Sequence, residues 1–437
     1  MKRRTLPMKK LLIFASFVVV AATASLPMAS ATARKAAVLP PDAVLTWNGF
    51  TVSAVRTSVP TKVQTDGMVY MSYVEAAVYD AVTKLEGRYE PYHDFTVLGG
   101  VAPDASPQAA VAAAARTTLD YYLPDRKPVV DGEYLTYIGT LTGNVPGGVA
   151  VGEAAANDII AIRADDGLKA PTPSYGGIGP ILPGQWQLQP GQAVQTPWVA
   201  TMRPFLLDGA SQFRAEPPPA LDSHQYAKDL NETEAYGALN STVRTAEQTK
   251  IAFFWVGNNI NQYNGTMQGV VADHNMDLVD AAHLFAMGNI VSTDAGIACY
   301  DSKFFYLAWR PITAIRNADK DGNPDTTADP NWQSLLGVPG HPEYPSQHGC
   351  FTSAFSDALA AALHTQHIDV NMGGGELGSA LLTATQHFDT VHDIQQQVVD
   401  ARVWLGFHFR NSVEQGEKLG NNVADWELKR FFQPVHS

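Results

Sequence analysis

Cysteine is scarce in this chain: its 437 residues include only Cys299 and Cys350. At most one disulfide can form, so no disulfide framework holds the fold together; a single bridge and two buried thiols both stay open. Charge is scarce as well. Charged residues make up 17% of the chain, below the usual ~25%, and that deficit at this length implies a large buried core. Length alone admits two or three domains. Cations are the scarcer sign. The first 31 residues hold five Lys/Arg and no acid, which leaves 25 cations against 43 acids in the remainder, a net charge of −18. Such a field argues against nucleic acid and anionic membrane surfaces as partners. Strand-like alternation is rare, no internal repeat is evident, and past the first 31 residues no stretch reads as apolar enough to span a bilayer.

What is there begins with a basic segment (Lys2, Arg3, Arg4, Lys9, Lys10), an apolar run from Leu11 to Ala24, and Ala29-Ser30-Ala31. This reads as a secretory signal over 1–31, cleaved after Ala31, and predicts an exported protein, periplasmic or extracellular, with no membrane attachment after cleavage. Residues 32–240 read as an N-terminal helical region. Val69–Leu85, the stretch opened by Ser106-Pro107, and Gly147–Gly167 all space small and apolar residues by three and four. A Pro-, Gly- and Gln-dense stretch from Pro171 to Pro219 interrupts them, and its Trp186, Trp198, Phe205 and Phe213 suggest a covering loop. Residues 241–437 read as a C-terminal helical catalytic region. Within it, 317–340 reads as a solvated, turn-rich loop.

Three motifs in that region carry chemistry. The first is KFFYLAWRP, Lys303 to Pro311. Lys303 and Arg310 lie seven residues apart, on one face of a helix two turns long, and apolar residues fill the space between. A helix apolar nearly all round is buried, and buried cations need an anion. The nearby acids Asp294 and Asp301 would serve if the cations were merely structural. Pro311 disfavours helix at Arg310, so the arginine is expected where the helix breaks.

The second motif is HPEYPSQHG, His341 to Gly349. Ser346 is a natural N-cap for the apolar helix that follows, and His348 falls in its first turn, where backbone amides favour an anion. The third is ARVWLGFHFRNS, Ala401 to Ser412. Arg402 ends an apolar helix begun near Thr385, His408 lies in a connection, and Ser412 to Gln415 has capping-box spacing for the last helix.

In this order and spacing, Lys-x6-Arg-Pro, Pro-Ser-x-His and Arg-x5-His resemble the signature of the phosphatidic acid phosphatase type 2 / vanadium haloperoxidase superfamily, most closely its bacterial haloperoxidase-type members. The resemblance implies an all-α fold of two packed four-helix-bundle-like halves, with an oxyanion site in the C-terminal bundle. It implies that Lys303, Arg310 and Arg402 neutralise the oxyanion, that Ser346 and the Gln347 amide bind further oxygens, and that His408 attaches to the central atom. His348 would be the acid/base. If the anion is vanadate, His408 is the only protein ligand to vanadium, Lys303 polarises bound hydrogen peroxide, and a halide is oxidised to a hypohalous species that a small organic acceptor can consume. If it is phosphate, His408 becomes a phosphohistidine nucleophile and the protein a secreted acid phosphatase. A non-catalytic oxyanion-binding scaffold is the third reading. The oligomeric state stays open, and a homodimer is admitted.

Two residues depart from the family pattern. Gln347 stands where Gly is common and crowds the pocket. Ser412 stands where Asp is common four residues after the histidine, so the carboxylate that would orient His408 is missing; this weighs most against the phosphatase. His341 matches bromide-oxidising members, where the chloride-oxidising type has Phe, so bromide or iodide is expected. With a free pKa of about 6.5, His341 would make that effect depend on pH near neutrality.

Overall fold

The computed structural model describes residues 39–175, 182–374 and 384–435. The predicted signal segment lies outside them. Among the described residues the chain is helical apart from one hairpin. Its helices are α1 (Asp42–Thr57), α2 (Gln64–Glu86), α3 (Pro107–Tyr122), α4 (Lys127–Ile138), α5 (Val145–Ile162), α6 (His224–Gly237), α7 (Ala246–Phe254), α8 (Asn259–Asp273), α9 (Leu278–Tyr306), α10 (Pro311–Arg316) and α11 (Gln347–Leu363). The hairpin β1 (His367–Gly373) and β2 (Thr385–Thr390) follows, then α12 (Val391–Trp404) and α13 (Arg410–Leu428).

The organising element is α9, with 24 of its 29 residues buried. It starts on Asp277, whose side chain accepts from the amides of Val279 and Asp280, an N-cap that stabilises a helix by roughly 1 kcal/mol. Helix α2 packs on it and in turn packs with α3 and α5, and α11 and α13 pack on it and in turn pack with α12. The fold is therefore all-α, with two bundle-like halves that share α9 at their seam. By length and apolar composition α5 alone among the described helices could cross a bilayer. Its small-residue face is set against α3, however: a Cβ on Gly152 would lie 2.1 Å from the Ala110 carbonyl.

Three expectations change here. Lys303 and Arg310 do not share a helix. The chain leaves α9 at Leu307, which adopts the left-handed conformation (φ 49°) and closes its N–H on the Lys303 carbonyl. Arg310 follows as the extended residue before Pro311, as the proline requires. Next, the helix leading to Arg402 starts at Val391 rather than near Thr385, because Thr385–Thr390 pairs antiparallel with β1. Last, α13 starts at Arg410, which puts Ser412 inside its first turn with no capping role.

The stretch from Pro171 to Pro219 packs down where it is described. Trp186, Trp198 and Phe205 are buried and Phe213 is half-buried. Asp294 of α9 accepts from the amides of Phe205 (2.7 Å), Leu206 (2.6 Å) and Leu207 (3.2 Å). The 317–340 loop is less solvated than expected: Asp321 and Asn323 are buried, and Asp321 takes the Asn323 amide and the Thr326 hydroxyl.

Candidate active site

The three motifs converge. The end of α9 supplies Lys303, the break before α10 supplies Arg310, the first turn of α11 supplies Ser346, Gln347 and His348, the end of α12 supplies Arg402, and the α12–α13 connection supplies His408. With His341 all eight side chains are buried. A cavity of about 460 Å³ is walled by His341, Gln347, His348, Arg402 and His408, with Tyr300, Gln195 and Arg56 further round it. Lys303, Arg310 and Ser346 stand behind that wall.

The cations are not neutralised by the expected acids. Asp301 is engaged by Arg214 and Asp294 by backbone amides. Instead Lys303 Nζ donates to the carbonyls of Pro342 (2.9 Å) and Glu343 (3.0 Å). Arg310 donates Nε to the His341 carbonyl (3.0 Å), Nη1 to the Phe407 carbonyl (2.9 Å) and to His408 Nε2 (3.1 Å), and Nη2 to His341 Nδ1 (3.0 Å). Arg402 donates Nη1 to the Trp255 carbonyl (3.1 Å) and lies over the Phe407 ring. Among the described residues none of the three forms a salt bridge with a carboxylate. Burial lowers the pKa of all three, and the charge of Arg310 adds to the lowering at Lys303 and Arg402. Three buried cations without a paired acid favour an anion in their midst.

Three buried polar atoms here have no hydrogen-bond partner: Ser346 Oγ, His348 Nε2 and Arg402 Nε. Ser346 occupies the N-cap position of α11, yet its hydroxyl caps nothing. The first amides of that helix, Gln347 among them, have no intrahelical acceptor either. Buried polar groups are ordinarily satisfied; a set of orphans of this kind fits a small tetrahedral oxyanion, which accepts hydrogen bonds on every oxygen.

The histidines are held neutral. His341, His348 and His408 have pKa values pushed well below the ordinary one, by burial first and then by the surrounding cations. A guanidinium only donates, so the atoms facing Arg310, His341 Nδ1 and His408 Nε2, are acceptors. The Pro342 carbonyl, 3.2 Å from His341 Nδ1, is thus not its hydrogen-bond partner. The expected titration of His341 near neutrality does not apply to this buried ring.

Glu343 and Tyr300 escaped the sequence reading. Glu343 is buried beside His408, with Oε1 2.9 Å from His408 Nδ1 and 3.1 Å from the Phe409 amide. The carboxylate missing at Ser412 is therefore present from another direction. Its signal was in plain sight, as the lone acid of HPEYPSQHG. Tyr300 donates to Gln347 Oε1 at 3.1 Å, so the glutamine side chain is held against α9 at the cavity wall. Tyr300 lies one helical turn before Lys303, a spacing that could have flagged it. Cys299 and Cys350 are both buried and free.

A family model described as the VCPO second helical-bundle domain matches residues 283–437. Vanadium chloroperoxidase of Curvularia inaequalis is 30% identical over 179 residues, 33% of this chain and 29% of that protein. The chain thus matches less than a third of that relative's length. Among solved structures, the first bacterial vanadium-dependent iodoperoxidase superposes with a TM-score of 0.76 at 20% identity, over 91% of this chain and 98% of that one. A holo-type bacterial vanadium-dependent chloroperoxidase superposes with a TM-score of 0.65 at 21% identity, over 85% and 92%. At that identity the likeness is one of fold.

Proposed function

We propose, from the premise that the chain belongs with the vanadium haloperoxidases through the VCPO second helical-bundle domain at residues 283–437, that it is an exported, vanadate-dependent haloperoxidase that uses hydrogen peroxide to oxidise bromide or iodide. The observation that carries this reading is the set of orphaned buried atoms, Ser346 Oγ, His348 Nε2 and Arg402 Nε, among three cations that no carboxylate pairs. Vanadate, when bound, supplies a Lewis-acidic centre that activates hydrogen peroxide for two-electron oxidation of a halide.

The residues divide the remaining work. Arg402 would offer its unpartnered Nε to the oxyanion, whereas Arg310, whose nitrogens are engaged by His341, Phe407 and His408, and Lys303 would act on it chiefly by charge. Ser346 Oγ and the Gln347 amide donate to further oxygens. His408 would hold the group through Nε2 once Arg310 Nη1, which donates to that atom at 3.1 Å, turns to the oxyanion, and would be its only protein ligand. His348, neutral and with Nε2 unpartnered, would be the acid/base, its Nε2 accepting a proton from hydrogen peroxide and giving it up again. His341 supports bromide or iodide over chloride, and the cavity leaves room for a small organic acceptor of the halogen. Export rests on the basic, apolar and Ala-Ser-Ala pattern of residues 1–31.

One observation favours the acid phosphatase as a second reading. The carboxylate of Glu343 behind His408 restores what Ser412 removes, and a phosphohistidine nucleophile needs that support. The two readings part in one experiment. Metal-free protein is titrated with orthovanadate and assayed for dye halogenation with peroxide and bromide, iodide or chloride, beside hydrolysis of a phosphate ester. Vanadate should restore bromination or iodination, and phosphate should compete. Ester hydrolysis with no halogenation at any vanadate level would assign the protein to the phosphatases.

A further inference from the structure

We infer that Glu343 is the positioning residue of His408, delivering from the HPEYPSQHG segment the carboxylate that fixes the proton on Nδ1 and so leaves on Nε2 a lone pair that Arg310 Nη1 occupies here and yields when it turns to an oxyanion. The inference rests on reading His408 as the residue that holds the oxyanion.

The geometry leaves His408 little freedom. Arg310 Nη1 can only donate, so His408 Nε2, 3.1 Å away, carries the lone pair and Nδ1 carries the proton. That proton points to Glu343 Oε1 at 2.9 Å. The same oxygen accepts from the Phe409 amide at 3.1 Å, which fixes it against the backbone next to the histidine. The Glu343 backbone is fixed in turn: its N–H donates to the Ala308 carbonyl at 3.0 Å, and its own carbonyl accepts from Lys303 Nζ at 3.0 Å. One residue therefore ties the α9 end, the α11 approach and the α12–α13 connection together.

Burying a carboxylate costs several kcal/mol unless something compensates, and Glu343 is 2% exposed. It pairs with a neutral imidazole rather than with Lys303, Arg310 or Arg402, none of which it touches as an ion pair. Its charge also acts on Arg310 and Lys303 at longer range, but its short contact is the one to the imidazole. A carboxylate behind the Nδ1 proton of a ligating histidine fixes ring orientation and raises the basicity of Nε2. Ser412 Oγ is the other polar side-chain atom near Nδ1, at 3.5 Å. An aspartate there would approach the same proton, so the carboxylate is movable between the two positions.

The test uses the full chain and orthovanadate as probe, read by isothermal titration and by the His408 Nδ1 proton resonance in ring-labelled protein without vanadate. Glu343→Gln, which keeps the shape, and Glu343→Ala should weaken orthovanadate binding roughly 10- to 100-fold. Both should move the Nδ1 proton upfield, since the charge-assisted hydrogen bond is gone. The pair Glu343→Ala with Ser412→Asp should return the proton downfield and recover binding to within a few-fold of wild type. A loss of packing alone would not be rescued from another helix. Unchanged affinity and an unmoved proton in Glu343→Gln would overturn the inference, as would a folded double variant no better than Glu343→Ala. His408→Ala separates the two readings. If it binds orthovanadate like wild type, the ligand assignment fails, while the proton shift in the Glu343 variants still decides whether Glu343 positions the ring.

Discussion

Arg402 is the residue whose surroundings ask most for a ligand: buried, with Nε unpartnered and one carbonyl to serve Nη1. A buried cation without a paired anion costs stability, and an apolar residue of similar volume can be more stable by about 1–4 kcal/mol. Arg402→Met should therefore raise the melting temperature of the vanadate-free protein. It should also weaken orthovanadate binding roughly 10- to 100-fold, the equivalent of the ~1.5–3 kcal/mol of a hydrogen bond to a charged group. Scanning calorimetry with and without orthovanadate reads both effects, and a variant less stable in both conditions would mean that Arg402 serves the fold. Residues of this kind were legible in the sequence because charge amid apolar neighbours is conspicuous: Lys303, Arg310, Arg402 and the histidines at 341, 348 and 408 all stand out that way. Glu343 was not legible as a partner of His408, since 65 residues separate them and no periodicity connects a loop to a helix connection. Nor was the neutrality of His341, which depends on burial beside Arg310 and not on its sequence neighbours.

At the scale of elements, helix interiors were legible and their ends were not. Three- and four-residue spacing marks α2, α3 and α5, whereas the end of α9 depends on a left-handed Leu307 that no glycine announces. The β1–β2 hairpin had a period-two cue in Ile368, Val370 and Met372, all buried, but β2 is polar and reads as the approach to a helix. The contact between α11 and α13 depends on glycines whose purpose only the packing reveals. A Cβ on Gly416 would lie 2.6 Å from the Ser346 carbonyl, and one on Gly420 would lie 2.3 Å from that of Cys350. Backbone cannot yield as a side chain can, so Gly416→Ala should cost about 1–3 kcal/mol through overpacking. Because the clash falls on Ser346, the same variant should lose orthovanadate affinity. Gly132→Ala, in α4 with nothing near its added methyl, should stabilise by about 0.4–1 kcal/mol. Equal effects from the two in a denaturant titration would rule out the proposed close approach.

At the scale of the whole molecule, the acidic surplus read from composition does not extend to the candidate site, where local cations prevail over the global field. The acids instead include a buried pair that joins distant parts of the chain. Asp294 of α9 holds the amides of residues 205–207, and the buried Glu427 near the end of α13, whose two oxygens accept from no N–H or O–H donor among the described residues, lies against Asp294, close enough for a carboxyl–carboxylate hydrogen bond. Burial, then the charge of Asp294 and that hydrogen bond, raises the Glu427 pKa well above the ordinary carboxylate range. Glu427 thus keeps its proton to higher pH than an exposed carboxylate does and is placed to donate it to Asp294. A group whose folded pKa is raised contributes stability that is complete below its unfolded value, near 4.3, and is lost as pH rises toward the folded one. In that window the unfolded chain releases a proton that the folded chain keeps, at about 1.4 kcal/mol per pH unit. Glu427→Gln retains a donor to Asp294 and cannot ionise. Its stability should match wild type near pH 4 and exceed it by a margin that widens as pH rises through 5, 6 and 7, as read by urea denaturation at each pH. Subtracting the two curves cancels titrating groups remote from the pair, including the site histidines, whose depressed pKa values act with the opposite sign, and leaves Glu427 together with Asp294, which titrates with it. A margin constant across that range would mean that Glu427 is ionised in the folded protein and that the pair does not hold the covering segment, α9 and α13 together through a shared proton.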